Sequence, residues 1–408
     1  MMGGVEVTIE SIAAGGDGVG RVNGRVVFVP RSAPGDVGTV DVPATGRFAR
    51  GEFRDLRVAS PDRVEPACSH YVADRCGGCQ LQHLEYDAQL RAKSGIVRDA
   101  MQRIGRRQVD APAVRPSEVP WRYRRKLTLA LRRRGSTWVA GLHPFDDPRR
   151  VFALDDCPIT AEGVLGAWRE VLAAAGQLPS AKELRGALRL DDDEVASLTI
   201  EGGREWAASD AFFSAVPRLS ALWWIPEGAG RRRLCAREAQ SAPGASFAQV
   251  NPAVARALRA RVLSLALAYQ PGVVIDGYAG LGDTAVALAE RGVRVTAIEL
   301  DRDAVRWSAA RLPAGSRALA GRVEDVLARV LPADVVILNP PRAGVDKRVT
   351  EILEATQPPP AAIIYVSCDP ATLGRDVARL PRYRVASLES FDMFPQTAHV
   401  ETVCELVP

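Results

Sequence analysis

Short apolar runs alternate with polar positions over the first sixty residues, and glycine-rich turns separate them. The runs VEVTIESI, RVVFVP, PGDVGTVDV and GEFRDLRV, with GGDGVGRVNG between the first two, predict five short strands. Five strands joined by tight turns within so few residues are typical of a small β-barrel of the OB type. Pro61 and Pro66 then interrupt the pattern and predict a domain boundary.

The remaining chain changes its period twice. Apolar residues recur at helical spacing between 82 and 104, and strand-like runs such as KLTLALRR and ASLTIE follow. After Phe247, strands and helices alternate, which predicts a doubly wound, Rossmann-like sheet, and two final strand-like runs predict a terminal hairpin. The sequence thus predicts a multidomain α/β protein with an OB-like barrel at 1–59, a central α+β domain at 60–245 and a doubly wound domain at 246–408.

Composition narrows the class of protein. The 408 residues carry 53 basic and 49 acidic side chains, and the net charge of +4 is too small to establish a nucleic-acid partner. Only four of the basic residues are lysines, and arginine is the better ligand for phosphate, although an arginine-rich genome explains the excess equally well. No apolar run is long enough to cross a membrane and no signal peptide is visible, so we expect a cytoplasmic protein.

Three of the seven cysteines, Cys68, Cys76 and Cys79, form a cluster. In a cytoplasmic chain, clustered cysteines indicate metal binding or catalysis rather than disulfide bonds.

A glycine-rich loop follows the first strand of the doubly wound domain. Gly280, Gly282 and Ala285 satisfy the dinucleotide fingerprint, and Glu299 lies nineteen residues after Gly280, where a ribose-binding acid is expected. The fingerprint alone fits a nicotinamide cofactor and S-adenosylmethionine equally well. Asp276 before the glycines and the loop at 339–342, Asn-Pro-Pro-Arg, favour S-adenosylmethionine.

A thiol and a carboxylate complete this candidate site. Cys368 follows the apolar strand AAIIYVS at the carboxyl edge of the sheet, which predicts that its thiol is exposed to the cleft. Near the end of the chain, period-two alternation points His399 and Glu401 to the same side. Glu401 lies either on a solvated strand face or in the cleft.

The segment Trp121–Arg134 carries seven basic residues and no acid over fourteen positions, with aromatic residues between them. Arginines hold phosphates while aromatic rings stack on bases, so this segment is a candidate RNA contact. A solvated strand face is the alternative.

Taken together, these motifs resemble those of the uridine-C5 RNA methyltransferases that carry an N-terminal TRAM domain and an iron–sulfur cluster, typified by bacterial 23S ribosomal RNA enzymes. The resemblance covers essentially the whole chain. The motifs that carry it are GGDGVGRVNGRVVFVPRSAPGD, CGGCQLQHLEYDAQLRAK, FAQVN, DGYAGLGDTAVALA, NPPRAGV, YVSCDPATLGRD and FDMFPQTAHVE.

The resemblance implies two cofactors and a set of site residues. It implies that a 4Fe–4S cluster is held by Cys68, Cys76, Cys79 and Cys157, although the spacing alone suits zinc as well. It also implies that S-adenosylmethionine is bound by Gln249, Tyr278, Asp283, Glu299, Asp325 and Asn339. Asn339 replaces the Asp usual in the family, and Asp283 stands where Asn or Thr is more usual, which puts cofactor affinity in doubt more than the reaction.

The implied chemistry assigns a role to each catalytic residue. Cys368 adds to C6 of uracil, C5 then attacks the methyl donor, and Glu401 removes the C5 proton so that the thiolate is released. The target base must be flipped out of its stack. Arg342 is a candidate for the positive charge that helps Cys368 to ionise.

Three hypotheses about the function remain open. The leading one is an enzyme that methylates uridine C5 in RNA, with ribosomal RNA as the expected partner and transfer RNA as the alternative, acting as a monomer. The second is an RNA-binding or assembly protein that keeps the fold but methylates poorly. The third is a nicotinamide-dependent oxidoreductase, which leaves Cys368, Glu401 and the cysteine cluster without a purpose.

Overall fold

The computed structural model describes residues 2–43, 46–191, 194–237 and 249–408. The predicted boundary at 245/246 and the first two residues of FAQVN lie outside the described residues. The chain forms two compact units. Unit 1 contains residues 1–65, 80–118 and 253–408, and unit 2 contains residues 66–79 and 119–252.

The N-terminal part of unit 1 is a six-stranded sheet with its own core. Its strands are β1 (Met2–Ile12), β2 (Gly18–Val22), β3 (Arg25–Val29), β4 (Val37–Pro43), β5 (Phe48–Arg50) and β6 (Phe53–Val58), in the order β5-β3-β2-β1-β4-β6. Alternate apolar residues such as Val7, Ile9 and Val40 form the core. The sequence predicted five strands. It missed β5, because three residues are too few to show alternation and parallel pairing with β3 defines the strand.

Two helices and a short strand follow. They are α1 (Ser69–Ala73) in unit 2, and α2 (Tyr86–Arg103) and β7 (Val114–Arg115) in unit 1. The predicted central domain included α2, but α2 packs into unit 1. Val97 and Met101 join the core of the C-terminal domain, while Ala88 and Ile96 pack in a cluster with Ile12 of the N-terminal sheet.

Unit 2 is built on a seven-stranded sheet. Its elements are β8 (Lys126–Arg134), β9 (Thr137–Leu142), β10 (Phe152–Ala153), α3 (Glu162–Ala173), a 3-10 turn (Ala175–Gln177), β11 (Glu183–Leu190), β12 (Ala196–Glu201), α4 (Ser209–Ala215), β13 (Leu219–Ile225) and β14 (Arg232–Ala236). The strand order is β10-β9-β8-β11-β12-β13-β14. Leu127, Leu129 and Leu131 of β8 and Leu184, Leu188 and Leu190 of β11 share a core with α3. Trp168 of α3 lies over Gly186 and donates a hydrogen bond to the carbonyl of Leu127 at 3.3 Å.

The C-terminal domain is the predicted doubly wound sheet. Its elements are α5 (Pro252–Ala268), β15 (Val273–Gly277), α6 (Asp283–Ala289), β16 (Arg294–Glu299), α7 (Arg302–Arg311), β17 (Arg317–Ala320), α8 (Val323–Val330), β18 (Val335–Leu338), α9 (Lys347–Ala355), β19 (Ala362–Ser367), α10 (Pro370–Ala378), β20 (Arg384–Phe391) and β21 (Glu401–Val407). The order is β17-β16-β15-β18-β19-β21-β20-β7. Strands β15 to β19 are parallel, and β20 and β21 form the predicted antiparallel hairpin.

Over the described part of the chain, no helix combines the length and the apolar character needed to span a membrane.

Candidate active site

The carboxyl edge of the C-terminal sheet collects the predicted site residues. Strands β15, β16, β18 and β19 run parallel, so the residues that follow them lie along one edge, where open α/β sheets bind ligands. This edge carries the glycine loop after β15, Glu299 at the end of β16, Asn339 after β18 and Cys368 after β19.

Strand register brings Cys368 and Glu401 together. β19 and β21 are antiparallel, and Ser367 pairs with Thr402, so the next pair outward along the ladder is Cys368 and Glu401. Residues directly opposite each other in an antiparallel ladder project to the same face. Glu401 is only 3% exposed, so it does not lie on a solvated face, and its charge acts on Cys368.

The environment of Cys368 keeps its thiol protonated. Burial, and then the charge of Glu401, raise the pKa of Cys368 to about 11, while Arg342 acts in the opposite direction. Arg342 is therefore near the thiol, as the sequence suggested, but its charge does not outweigh burial and the carboxylate. Because only the thiolate is a nucleophile, Cys368 needs a bound substrate or a proton acceptor to become reactive.

The loop that carries Arg342 is fastened to α10. The Thr372 hydroxyl donates a hydrogen bond to the carbonyl of Arg342 at 3.1 Å, and the Arg375 guanidinium donates to the carbonyl of Ala343 at 2.7 Å. Deeper in the fold, the buried carboxylate of Asp376 accepts a hydrogen bond from the backbone N–H of Val345 at 3.0 Å. Since α10 begins directly after Cys368, these bonds keep the loop and the thiol in a fixed arrangement.

The glycine loop is fastened to Glu299. One carboxylate oxygen accepts a hydrogen bond from the backbone N–H of Gly280 at 2.8 Å, and the other accepts from Leu300 and Asp301 at 2.7 and 2.8 Å. Gly282 begins α6 with a φ of 79°, a conformation that suits glycine. The carboxylate retains acceptor capacity for the hydroxyl groups of a ribose.

Asp276 places a buried carboxylate at the end of β15, directly before this loop. Its side chain is 2% exposed, and among the described residues one of its carboxylate oxygens has no hydrogen-bond partner. Burial, reinforced by the charge of Glu299, raises the pKa of Asp276 to about 7. A buried acceptor of this kind is normally satisfied by a ligand or an ordered water, so the polar groups here suit a nucleoside cofactor.

Tyr278 and Asn339, two of the predicted cofactor residues, lie on the same edge of the sheet, after β15 and β18. Tyr278 is half-buried in the glycine loop, where burial and the charge of Glu324 raise the pKa of its hydroxyl. Asn339 is exposed, and its backbone N–H donates to the carbonyl of Gly277 at 3.2 Å, which fixes the start of the Asn-Pro-Pro-Arg loop. Their assignment as cofactor residues stays a prediction.

Two other predicted cofactor residues make ion pairs. The Asp283 carboxylate accepts a hydrogen bond from Arg311 at 3.0 Å, and Arg259 lies 3.5 Å away. The Asp325 carboxylate accepts from Arg348 at 2.9 Å, and its side chain is 51% exposed. These arginines compete with a cofactor for the carboxylates, a circumstance that sequence spacing does not reveal.

Gln249 is half-buried and belongs to unit 2, whereas the glycine loop belongs to unit 1. Its assignment as a cofactor residue stays a prediction.

Comparison with known proteins identifies the family of this chain. Residues 314–407 match the family described as tRNA (uracil-5-)-methyltransferase, and residues 4–53 match the TRAM domain. An uncharacterized RNA methyltransferase of Halalkalibacterium halodurans is 31% identical, over 98% of this chain and 96% of the relative. Another, from Thermosynechococcus vestitus, is 32% identical over 98% of this chain and 97% of the relative. The chain belongs to the RNA methyltransferase family.

A solved structure shows the same fold for the whole RNA methyltransferase. The tRNA (uracil-54, C5)-methyltransferase of Pyrococcus abyssi, in complex with S-adenosyl-L-homocysteine, superposes with a TM-score of 0.73 and 24% sequence identity. The alignment covers 98% of this chain and 99% of that one. The predicted fold class, a TRAM domain joined to a doubly wound methyltransferase domain, is confirmed.

The cysteines predicted to bind a cluster in this RNA methyltransferase are all buried. Cys68, Cys76, Cys79 and Cys157 are between 7% and 9% exposed and lie in unit 2. Burial raises the pKa of Cys68, and the neighbouring Cys157 adds to the effect. The residue types suit a cluster. Among the described residues no group of three or more His, Cys, Asp or Glu side chains is placed to hold a metal ion, so the cluster stays a prediction.

Some arginines of the predicted RNA contact form ion pairs within the protein. Arg122 pairs with Asp156 at 2.7 Å, and Arg125 pairs with Glu194. Both arginines lie in the segment just before β8 and pair with acids of two loops, so their charges are largely balanced within unit 2. The exposed basic residues of the segment are Arg133 and Arg134 at the end of β8.

Sequence reasoning missed Lys93 and Asp392, which form an ion pair with both side chains fully buried. Lys93 is one of only four lysines in an arginine-rich chain, and Asp392 lies in the motif FDMFPQTAHVE. The rarity of lysine is a signal that could have singled out the first residue. Their contact spans 299 positions and is visible only in the fold.

Proposed function

We propose that this RNA methyltransferase transfers a methyl group from S-adenosylmethionine to C5 of a uridine in RNA. The observation that carries the proposal is the pairing of Cys368 with Glu401 across the end of the β19–β21 ladder, on the edge that holds the glycine loop. A nicotinamide oxidoreductase is disfavoured because the matching family and the full-length relatives are RNA methyltransferases. Methylation at a carbon that is a poor nucleophile requires both the thiol and the carboxylate.

The reaction proceeds by covalent catalysis. The Cys368 thiolate forms a bond to C6 of uracil, and the electron pair of the C5–C6 double bond passes to C5 and O4. C5 then takes the methyl group from the sulfonium donor, and S-adenosylhomocysteine leaves. Glu401 removes the C5 proton, the double bond forms again, and the electron pair of the S–C6 bond returns to sulfur as the thiolate departs.

The remaining edge residues bind and orient the methyl donor. Glu299 and the glycine loop are suited to its ribose and amino-acid parts, as the hydrogen bonds of Gly280 and the unsatisfied oxygen of Asp276 indicate. We assign Tyr278 and Asn339 to the same site. Gln249, Asp283 and Asp325 are further candidates, with the last two available once their arginine partners release them.

We further propose that unit 2 carries a 4Fe–4S cluster on Cys68, Cys76, Cys79 and Cys157. Four buried thiols in one unit support the ligand set, and the effect of Cys157 on the pKa of Cys68 places these two thiols near each other. Anaerobically purified protein should be brown and contain about four irons per chain. Stoichiometric zinc without visible absorbance would replace the cluster by a zinc site.

The RNA substrate is the finer part of the proposal. We propose ribosomal RNA, read as a flipped uridine in a single-stranded loop, by a monomeric enzyme of the cytoplasm. Transfer RNA is the second candidate, because the solved structure of similar fold is named for uridine 54 of transfer RNA. Mass-spectrometric mapping of 5-methyluridine in both RNA classes, with and without the gene, separates them. Loss of the modification from transfer RNA alone would exclude ribosomal RNA as the substrate.

Two substitutions test the catalytic assignment. Cys368→Ala should abolish methylation while leaving the binding of S-adenosylhomocysteine unchanged, because the thiol is needed only for the bond to C6. Glu401→Gln should accumulate a methylated protein–RNA adduct, since proton removal precedes release of the thiolate. An active Cys368→Ala enzyme would refute the covalent mechanism.

A further inference from the structure

The loop that leads into Glu401 is held by buried polar groups. Residues 392–400 connect β20 to β21, and both ends are fixed by the ladder, in which Phe391 pairs with Glu401. Within this loop Asp392 is 0% exposed, and Gln396 is 3% exposed. Buried polar side chains need hydrogen-bond partners. Helix α2 and the residues just before it provide these partners.

The first set of contacts is centred on Asp392. Its carboxylate forms an ion pair with the Lys93 ammonium, and both side chains are 0% exposed. The Tyr86 hydroxyl donates a second hydrogen bond to the same carboxylate at 2.8 Å. Lys93 also donates to the carbonyl of Phe394 at 3.0 Å. Two residues of α2 thus hold the position directly after the residue that pairs with Glu401.

The second set of contacts is centred on Gln396. Its side-chain oxygen accepts from the Gln89 amide at 2.9 Å, and its backbone N–H donates to the Gln89 side-chain oxygen at 2.9 Å. Its carbonyl accepts from the backbone N–H of Leu81 at 3.0 Å. Gln396 itself has a φ of 71°, a conformation that a residue with a side chain adopts only when its surroundings impose it.

A fully buried ion pair is a costly way to stabilise a protein. Desolvation of both charges consumes most of their attraction, and apolar residues of similar volume frequently stabilise a core at least as well. The gain from charges is directional, because an ammonium and a carboxylate fix each other's position more strictly than apolar contacts do. Here the ion pair fixes the position of a loop that leads directly into Glu401, the proposed base.

We propose that Lys93 and Asp392 are positioning residues for proton removal, which hold the 392–400 loop so that Glu401 reaches the C5 proton of the methylated intermediate. The inference rests on the proposed function of Glu401. The loop that the ion pair holds leads directly into Glu401, so its effect falls on the second half of the reaction. Formation of the bond to C6 does not require it.

The test separates the two halves of the reaction in Asp392→Asn. RNA containing 5-fluorouridine forms an adduct that cannot lose a proton from C5, so its rate of formation reports the steps before Glu401 acts. With uridine RNA, the decay of the methylated adduct reports proton removal. We expect Asp392→Asn to slow adduct decay by roughly ten- to a hundredfold, as misplacement of a catalytic group does, and to leave adduct formation within about twofold.

Three comparison variants keep the result interpretable. Lys93→Met/Asp392→Leu replaces the pair by apolar side chains, so it should fold stably and still show slow adduct decay. Asp36→Asn disturbs another buried ion pair of unit 1, with Arg63 at 2.7 Å, and should leave adduct decay unchanged. Glu401→Gln reports on the proposed function itself.

Each outcome decides one question. Slow decay in Asp392→Asn and in the apolar double variant, with normal decay in Asp36→Asn, supports the inference. Normal decay in the double variant, or equal slowing of formation and decay, overturns it while a stalled Glu401→Gln enzyme leaves the proposed function standing. Normal turnover by Glu401→Gln overturns both.

Discussion

The charge of Glu401 acts on Cys368 before it acts on the substrate, and this effect can be measured. The pKa of Cys368 is about 11 against an ordinary value of 9.0, with burial as the largest cause and Glu401 as the second. In Glu401→Gln the carboxylate's charge is gone and burial remains. The pKa of Cys368 should therefore fall, to a value between these two.

The size of the effect follows from the thiolate fraction. At pH 8 a thiol with a pKa of about 11 is ionised in roughly one molecule in a thousand, and one with a pKa of 9.0 in roughly one in ten. Complete removal of the shift would therefore accelerate attack by about a hundredfold. Because burial persists in Glu401→Gln, we expect adduct formation to become roughly tenfold faster at pH 8, although turnover stops.

The assay is adduct formation on 5-fluorouridine RNA, followed between pH 6 and pH 10 on denaturing gels. Its rate should rise with pH in both enzymes, and the curve for Glu401→Gln should lie at lower pH. Glu405→Gln is the matched control on the same strand, since Glu405 accepts a hydrogen bond from Tyr269 at 2.7 Å and is not among the main causes of the pKa shift of Cys368. Coincident curves for Glu401→Gln and the natural enzyme would refute the reasoning.

Three further predictions concern the cofactor site and the RNA surface. Gly282→Ala should weaken S-adenosylhomocysteine binding at least tenfold by calorimetry, because the new Cβ collides with Ser308. Gly292→Ala is the control: Gly292 also has a positive φ but no neighbour within reach of a Cβ, so this variant should lose only about 1 kcal/mol of stability. Because the pKa of Asp276 is raised to about 7, the folded state binds a proton that the unfolded state has already lost. The free energy of unfolding should therefore fall as the pH rises from 4 to 7, and Asp276→Asn should remove this pH dependence in urea titrations. Replacing Arg133 and Arg134 by Gln should lower RNA affinity and flatten its salt dependence by about two counterions, and an unchanged slope would exclude this strand end as a contact.

Much of the fold follows from local pattern. The alternation of strands and helices after residue 252 predicts the doubly wound domain, because each element buries one apolar face and shows it in its own period. The domain to which α2 belongs could not be predicted in the same way. Its apolar face fits any core, and only its contacts assign Val97 and Met101 to the C-terminal domain.

In the candidate site, too, some features can be predicted from the sequence and others cannot. The glycine loop, Glu299 and Cys368 are recognisable from the sequence, because each is defined by its position at the end of a strand. Asp283 and Asp325 were assigned through resemblance, and the arginines that pair with them come from other helices. Side-chain partners across helices have no signature in sequence spacing.

The sequence by itself determined the candidate residues for the chemistry, because the thiol, the carboxylate and the glycines lie in short motifs whose backbone conformation is set locally. Only the tertiary structure decided what surrounds them. The register of β21 against β19 places Glu401 opposite Cys368, and burial there raises the pKa of the thiol. The ion pair between Lys93 and Asp392 joins residues 299 positions apart. Contacts of this kind depend on long-range packing, which no local pattern encodes.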